Sequence, residues 1–214
     1  MSNSMIDRVY GAKSREEQEA AYDEWSARYE RDLCAMGYRL PAVAAAVFAG
    51  HVAIDARPIL DAGCGGGLQA EPLNTLGYGP ITGIDLSQGM LSVARRKGIY
   101  AALHRMALGG RIDFPDDCFA AVISTGAITP GHAPPESFDD LIRVTRPGGR
   151  MVFSLRCDAG QATGYRLRAK VDADQIGQGM RALRAWLDQR LTLDEAIQAL
   201  GLMEVVIATL DAAH

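Results

Sequence analysis

Glycine dominates the segment at 59–67, which reads ILDAGCGGG. Four of its last five residues are glycine, and each glycine loses more backbone freedom on folding than any other residue type. Such a run suits a place where another group must approach the backbone too closely for side chains. Asp61, Gly63, Gly65 and Gly67 occupy alternate positions within it. The chemistry to expect here is ligand binding by backbone groups, with one carboxylate at the edge of the loop.

Two kinds of ligand site place glycines in this way. In the dinucleotide pattern GxGxxG, a pyrophosphate lies on the N-terminus of the following helix. Gly63 and Gly65 match its first two glycines, but Leu68 occupies the third position, where helix and strand must pack closely. The alternative pattern, DxGxGxG, is filled without a gap and leaves Gly66 as an extra glycine. The spacing therefore favours the second pattern.

The DxGxGxG pattern resembles the first motif of class I S-adenosylmethionine-dependent methyltransferases. The segment GIDLSQGML at 83–91 is similar to the second motif of that family, and Asp85 follows Gly67 by 18 residues. The resemblance continues at 114–124 and 141–153, so it spans about residues 58–156. It implies a Rossmann-like α/β fold with a mostly parallel, doubly wound sheet. It also implies S-adenosyl-L-methionine as cofactor and S-adenosyl-L-homocysteine as product.

Segments outside these motifs resemble the methyltransferase-like protein 27 group, related to the protein from the Williams-Beuren syndrome region. They are AYDEWSARYERDL at 21–33, TGAITPGHAPP at 125–135 and VTRPGG at 144–149. This resemblance supports the reaction class and leaves the methyl acceptor open. The chain departs from the family pattern at Ala120, where the fourth strand usually carries an acid. It departs again at 104–111, where no acidic or polar residue stands at the usual position near the adenine amino group.

The resemblance assigns roles to individual positions. Asp85 would accept hydrogen bonds from both ribose hydroxyls, Leu86 and Met90 would pack against adenine, and the glycine loop would bind the methionine end. Backbone groups near Met106 and Ala107 would recognise adenine. The candidate cofactor-binding residues are Asp61, Gly63, Cys64, Gly65, Gly67, Asp85, Leu86, Ser87, Met90, Met106, Ala107, Thr125, Tyr22 and Tyr29.

His132 is the candidate for acid–base chemistry, because it follows the fourth predicted strand and its side chain titrates near neutral pH. The alternative is a turn whose histidine bonds a nearby backbone carbonyl. Tyr22, Trp25 and Tyr29 could form an aromatic lid over the methionine moiety. Trp25 and Tyr29 are also spaced as in any core-facing helical stripe, and core packing suits Trp25 better.

The predicted elements bring these residues to one edge of a sheet. Ser14 and Glu17 open a predicted helix at 14–36, and another helix follows Pro41 to about residue 50. Short apolar runs then alternate with helical stretches, as in a parallel α/β sheet. Strands are predicted at 58–62, 79–85, 99–103, 119–124, 150–155 and 203–209. Helices are predicted at 68–76, from Ser87 to residue 97, from 135 to before 147, at 161–188 and at 192–200.

The chain is predicted to form one methyltransferase domain over residues 1–214. Residues 1–57 would form an N-terminal helical lid, 58–156 the cofactor-binding core, and 157–214 the C-terminal helices and last strand. The glycine loop and His132 would both lie beyond the carboxyl ends of the strands, where open α/β sheets bind ligands.

Composition limits the partners. The 214 residues are 48% hydrophobic with a formal net charge of −4, which gives no overall attraction to nucleic acid or to anionic lipid. The four cysteines are scattered without metal-ligand spacing, and no apolar run approaches the roughly 18 residues of a membrane span. We therefore expect a cytoplasmic monomer or homodimer that acts on a small molecule, with no metal, nucleic acid or membrane partner.

The small-molecule acceptor follows by elimination. The loop after the fourth strand lacks the NPPY-like sequence used on exocyclic amines, and it lacks the paired glutamates that hold a guanidinium. We expect methyl transfer by in-line displacement, which requires alignment and exclusion of water more than a strong base. The alternative is a catalytically silent protein of the same fold that binds S-adenosylmethionine as a sensor or partner module.

Overall fold

The computed structural model describes residues 5–129, 132–156 and 203–209, with backbone only for 155, 156 and 203–209. The helices in this part of the chain are α1 (Met5–Tyr10), α2 (Arg15–Trp25), α3 (Tyr29–Ala35), α4 (Leu40–His51), α5 (Ala70–Thr75), α6 (Gln88–Lys97) and α7 (Ser137–Val144). The strands are β1 (Ile59–Ala62), β2 (Ile81–Asp85), β3 (Tyr100–Arg105), β4 (Phe119–Ser124), β5 (Thr145–Arg156) and β6 (Met203–Thr209).

The six strands form one sheet in the order β3-β2-β1-β4-β5-β6. The first five strands in this order are parallel, and β6 runs antiparallel to β5. Ile59 on the central strand pairs with Ile81 of β2 on one side and with Ala121 of β4 on the other. The strand order reverses at β1, which is the topological switch point where such sheets bind ligands. The predicted Rossmann-like class I fold is confirmed.

Apolar side chains cover both faces of the sheet. All four residues of β1 are buried, as expected for a central strand that lies between two layers of helices. On one face, Phe48 and Leu73 pack with Ile59, whereas Phe138 and Phe153 pack in a second cluster. Because Phe48 is fully buried, Phe48→Ala would cost about 3–5 kcal/mol of unfolding free energy.

The single helix predicted at 14–36 is wrong, because the chain turns between α2 and α3. The hydroxyl of Ser26 donates to the carbonyl of Asp23, and the N–H of Arg28 donates to the carbonyl of Trp25, which closes the turn. The indole N–H of Trp25 then donates to Asp32 on α3 at 2.9 Å. Trp25 is buried against this bend, so its core-packing interpretation holds.

The start of α2 agrees with the sequence. The hydroxyl of Ser14 accepts a hydrogen bond from the N–H of Glu17, as an N-cap should. The carboxylate of Glu17 accepts from the N–H of Lys13, one residue before the cap, instead of from Ser14 itself. In front of this cap lies α1, a helix that the sequence pattern did not predict.

The other helix and strand boundaries agree with the predicted ones or differ from them by a few residues. The cap of α6 at Ser87 and its left-handed end at Gly98 are as predicted. α5 begins at Ala70 instead of residue 68, since the preceding residues belong to the glycine-loop turn. β5 already begins at Thr145. The helices predicted at 161–188 and 192–200 lie outside the described residues.

The length and composition of the described helices bear on whether the chain could span a membrane. None of them alone is long and apolar enough to cross a bilayer. α3 and α4 reach the required length and composition only as a pair, and they are bent by 91° at the break between them.

Candidate functional site

A cavity of about 360 Å³ lies between the N-terminal helices and the carboxyl ends of β1, β2 and β4. Eleven of the fifteen residues predicted for the site line it. They are Tyr22, Tyr29, Gly63, Gly65, Asp85, Leu86, Met90, Met106, Ala107, Thr125 and His132. Asp61, Cys64, Gly67 and Ser87 are not among its lining residues. The carboxyl edge of the sheet and the N-terminal helices therefore meet around one space.

The glycine loop lacks side chains for two different reasons. A Cβ atom on Gly63 would lie 2.3 Å from the Cβ of Ala127, and one on Gly66 would lie 2.7 Å from the carboxylate of Glu30. At Gly65 a Cβ would meet nothing within 4 Å, and this residue lines the cavity. Neighbouring protein atoms thus explain Gly63 and Gly66, while open space beside Gly65 leaves room for a ligand. Gly66 is not a spare residue, because α3 packs against it.

Asp85, at the end of β2, holds the loop and faces the cavity. Its carboxylate accepts hydrogen bonds from the N–H of Gly65 at 2.8 Å and from the N–H of Ser87 at 2.9 Å. Burial raises the pKa of Asp85 to about 6, and the backbone donors oppose that rise. Each carboxylate oxygen can accept more than one hydrogen bond, so both remain able to bind ligand hydroxyls.

Asp61 lies behind the loop. It is fully buried, and its carboxylate accepts hydrogen bonds of 2.6 Å from the amide of Gln69 and from the hydroxyl of Tyr100. Gln69 also donates to the carbonyl of Gly63, which links Asp61 to the loop. Burial raises the pKa of Asp61 to about 7. The expected orienting function suits this place, but a direct approach to a ligand in the cavity does not.

Three other predicted residues also lie away from the cavity, for local reasons. The hydroxyl of Ser87 donates to Asp23 at 2.5 Å and accepts from the N–H of Met90. Its donor and its acceptor are therefore both used in hydrogen bonds within the protein. Cys64 is 1% exposed, and burial raises the pKa of its thiol well above the usual range, as in a small core side chain. A Cβ on Gly67 would press on Tyr100 at 3.1 Å.

Thr125, the first residue after β4, carries an unsatisfied group. Its hydroxyl oxygen is buried and has no hydrogen-bond partner among the described residues, although Thr125 lines the cavity. Leaving a buried hydroxyl unpaired costs about 1–3 kcal/mol. A polar ligand atom in the cavity would remove that cost.

An aromatic group closes the lid side of the cavity. The hydroxyl of Tyr22 lies 2.7 Å from Nε2 of His132, and Nδ1 of His132 lies 3.4 Å from the hydroxyl of Thr129. The ring of Tyr10 packs edge-on against His132 with centroids 4.3 Å apart, and Tyr29 packs against Tyr22 at 6.2 Å. His132 therefore contacts side chains of the N-terminal helices and of its own loop. The alternative prediction, in which it bonds a nearby backbone carbonyl, did not include these side-chain contacts.

Sequence reasoning missed several lid residues. Ala12, Lys13, Ser14, Arg15 and Gln18 line the cavity, although the sequence suggested only a helix start there. Asp23 was missed as well, and its carboxylate accepts from both Ser87 and the N–H of Gly89. No local pattern could have indicated these contacts, since they join residues more than 60 positions apart.

Comparison with known proteins gives the family. The profile of a family described as methyltransferase domain matches residues 60–153. Human methyltransferase-like protein 27 is 33% identical over 177 residues, which cover 79% of this chain and 71% of that protein. A demethylmenaquinone methyltransferase of Clavibacter sepedonicus is 30% identical over 205 residues, which cover 87% of this chain and 82% of that protein.

A solved structure shares the fold. The TehB-like SAM-dependent methyltransferase from Corynebacterium glutamicum matches with a TM-score of 0.55 and 24% identity, over 71% of this chain and 82% of that one. The site fits the cofactor of such proteins on its own features, namely the open space at Gly65 and the unpaired hydroxyl of Thr125. This chain is a member of the class I S-adenosylmethionine-dependent methyltransferases, and it uses S-adenosyl-L-methionine as its cofactor.

Proposed function

We propose that this enzyme transfers a methyl group from S-adenosylmethionine to a small molecule bound in the cavity beneath α2. The observation that carries the proposal is the cavity itself, which joins the glycine loop and Asp85 to the lid residues around His132. A space of about 360 Å³ is at the lower end of the roughly 300–1,000 Å³ found for small-molecule sites. A pocket of this size suits a small ligand such as the cofactor.

In this proposal the cofactor-binding residues have distinct tasks. Gly65 and its open flank take the methionine end, Asp85 accepts the ribose hydroxyls, and Leu86 and Met90 pack on adenine beside Met106 and Ala107. Thr125 supplies its unpaired hydroxyl to the bound ligand. The cofactor supplies an activated methyl group on a sulfonium sulfur. Asp61 and Ser87 act indirectly, by holding the loop and the N-terminus of α6.

The lid has the task of excluding water and aligning the acceptor. Tyr22 and Tyr29 are half-buried and line the same cavity as Gly63 and Gly65, which supports that task. The predicted division of a single domain into a lid at 1–57, a core at 58–156 and a C-terminal region at 157–214 belongs to this proposal. The small-molecule acceptor gains support from the relative named as a demethylmenaquinone methyltransferase.

Two measurements test the proposal. Titration calorimetry should show binding of both S-adenosylmethionine and S-adenosylhomocysteine, and mass spectrometry of a metabolite pool incubated with enzyme and cofactor should show a product heavier by one methylene. Absence of binding to either compound would contradict the proposal. Tight binding with no methylated product from any pool would favour a silent sensor instead.

A further inference from the structure

The contact between Tyr22 and His132 joins a helix and a loop that both line the cavity. Tyr22 lies on α2 and His132 lies in the loop after β4, yet the phenol oxygen and Nε2 are 2.7 Å apart. Both residues line the cavity. Tyr10 and Tyr29 pack against this pair from α1 and α3, so its geometry is fixed by three helices and one loop.

The groups around both side chains bear on the direction of this hydrogen bond. Burial raises the pKa of Tyr22 well above its usual value, and the nearby Tyr29, Tyr10, Asp85 and Tyr38 add to the rise. The phenol therefore keeps its proton near neutral pH and is able to donate to Nε2 of His132, while the hydroxyl of Thr129, 3.4 Å from Nδ1, is placed to accept from an N–H on that side. A histidine that accepts at Nε2 in its neutral form carries its proton on Nδ1.

This arrangement determines which of the two side chains a methyl acceptor can contact. Nε2 of His132 is covered by the Tyr22 hydroxyl, and Nδ1 lies towards Thr129. The oxygen of Tyr22 can still accept one more hydrogen bond while it donates to His132. An acceptor in the cavity therefore contacts His132 through Tyr22 and not directly.

Building on the proposed function, we infer that Tyr22 and His132 form a proton relay and that the methyl acceptor is a hydroxyl compound, an alcohol or a phenol. As the acceptor oxygen bonds the methyl carbon, its proton passes to the oxygen of Tyr22, and the phenol proton of Tyr22 passes to Nε2 of His132. The bond between sulfur and the methyl carbon breaks with its electron pair on sulfur. Tyr22 is the catalytic residue in contact with the acceptor, and His132 holds the proton.

Among the possible methyl acceptors, a hydroxyl compound has the largest gain in reaction rate from such a relay. A neutral hydroxyl is a weak nucleophile whose proton must leave as the new bond forms, so a base in place accelerates the reaction by about 100- to 10,000-fold. A neutral amine already has a free lone pair and can lose its proton later. A proton relay in the cavity wall would therefore accelerate methyl transfer to an amine only slightly.

The test uses Tyr22→Phe and His132→Gln with a panel of simple phenols and alcohols, set beside matched anilines and thiols. The hydroxyl compounds should be methylated, and each variant should lower kcat by about 100-fold or more. The Kd for S-adenosylmethionine should stay within about twofold of the parent value, because Tyr22→Phe keeps the aromatic ring on the cofactor side and removes only the hydroxyl that contacts His132, and a relay acts on turnover. The double variant should be no slower than the slower single one, since the two residues act as a unit.

Tyr78→Phe is the matched control, because it removes another buried phenol hydroxyl, which donates to the carbonyl of Val52 at 2.7 Å. It should leave kcat unchanged. Turnover of only anilines or thiols, or full activity in Tyr22→Phe, would overturn the relay.

A measurement without turnover separates this inference from the proposed function. Nitrogen-15 NMR of the histidine side chains in the free enzyme should show His132 protonated on Nδ1, with an Nε2 signal that moves in Tyr22→Phe and stays in Tyr78→Phe. A His132 protonated on Nε2 would refute the relay even where no compound is methylated. Failure of the parent enzyme to bind S-adenosylmethionine would instead refute the proposed function, whatever the tautomer.

Discussion

The carboxylate of Asp23 accepts a hydrogen bond from the hydroxyl of Ser87, with 2.5 Å between the oxygens, although the two residues are 64 positions apart. The same carboxylate oxygen accepts from the N–H of Gly89 at 2.7 Å. Ser87 is the N-cap of α6, so a residue of the lid completes the start of the helix that follows Asp85. Hydrogen bonds therefore link the N-terminal helices to the predicted ribose site.

Asp23→Ala should loosen that connection. We expect a loss of about 0.5–2 kcal/mol of unfolding free energy, as for the loss of a helix cap, together with weaker binding of S-adenosylmethionine. Denaturant unfolding and calorimetry measure the two effects. Glu24→Ala is the control, because Glu24 is an exposed neighbour that pairs with Arg8 on the surface. Equal cofactor affinity in the two variants would show that the lid does not depend on Asp23.

Asp85→Ala should weaken cofactor binding by about 1.5–3 kcal/mol, the usual range for hydrogen bonds to a charged group. The variant should also unfold more easily, since the N–H groups of Gly65 and Ser87 lose their acceptor. Calorimetry measures the affinity, and the exposed Asp113→Ala serves as the control. Unchanged affinity would mean that the ribose binds elsewhere.

Gly65→Ala and Gly98→Ala form a matched pair. Both glycines have left-handed backbones, with φ of 53° and 67°, and a Cβ on either meets nothing within 4 Å. Each substitution should therefore cost a similar amount of stability, about 1–2 kcal/mol. Gly65 lines the cavity whereas Gly98 ends α6, so Gly65→Ala alone should lower affinity for S-adenosylmethionine in calorimetry. Equal affinities would place the methionine end away from Gly65.

The buried Asp61 should make stability depend on pH. Its pKa is about 7 in the folded protein against a usual 3.8, so the folded state holds a proton that the unfolded state has lost between these values. The contribution of Asp61 to stability is therefore full below about pH 4, falls by at most about 1.4 kcal/mol per pH unit up to about pH 7, and is flat above.

Asp61→Asn should abolish this part of the dependence. The difference in unfolding free energy between parent and variant should decrease as pH rises from about 4 to about 7, when measured by denaturant unfolding at a series of pH values. Asp85 contributes with the same sign and is present in both proteins, and because its charge also raises the pKa of Asp61, the difference includes the interaction between the two carboxylates. A difference that grows with pH would mean that Asp61 is ionised and stabilised in the folded state.

Most of the sheet could be predicted from the sequence, because each strand is a short apolar run. A turn-forming or helix-capping residue next to the run marks where the strand ends. β4 and β6 have the predicted bounds, and α6 follows its N-cap Ser87 and ends before Gly98, as these capping residues indicate. The boundary between α2 and α3 was not predictable, since the apolar spacing at 21–33 is helical throughout. The bend depends on the long side chains of Trp25 and Asp32, which meet only after the chain has turned.

By itself the sequence determined the family, the cofactor and the strand that carries the glycine loop, because these follow from local patterns of glycine, acid and apolar residues. Only the tertiary structure decided which glycines of the loop lie close to other protein atoms and which one has open space beside it. Gly63 and Gly66 are kept bare by Ala127 and Glu30, which approach from distant parts of the chain, and Gly65 is the one beside open space. Packing between elements also brought Tyr22 to His132, and no spacing along the chain encodes a contact across 110 residues.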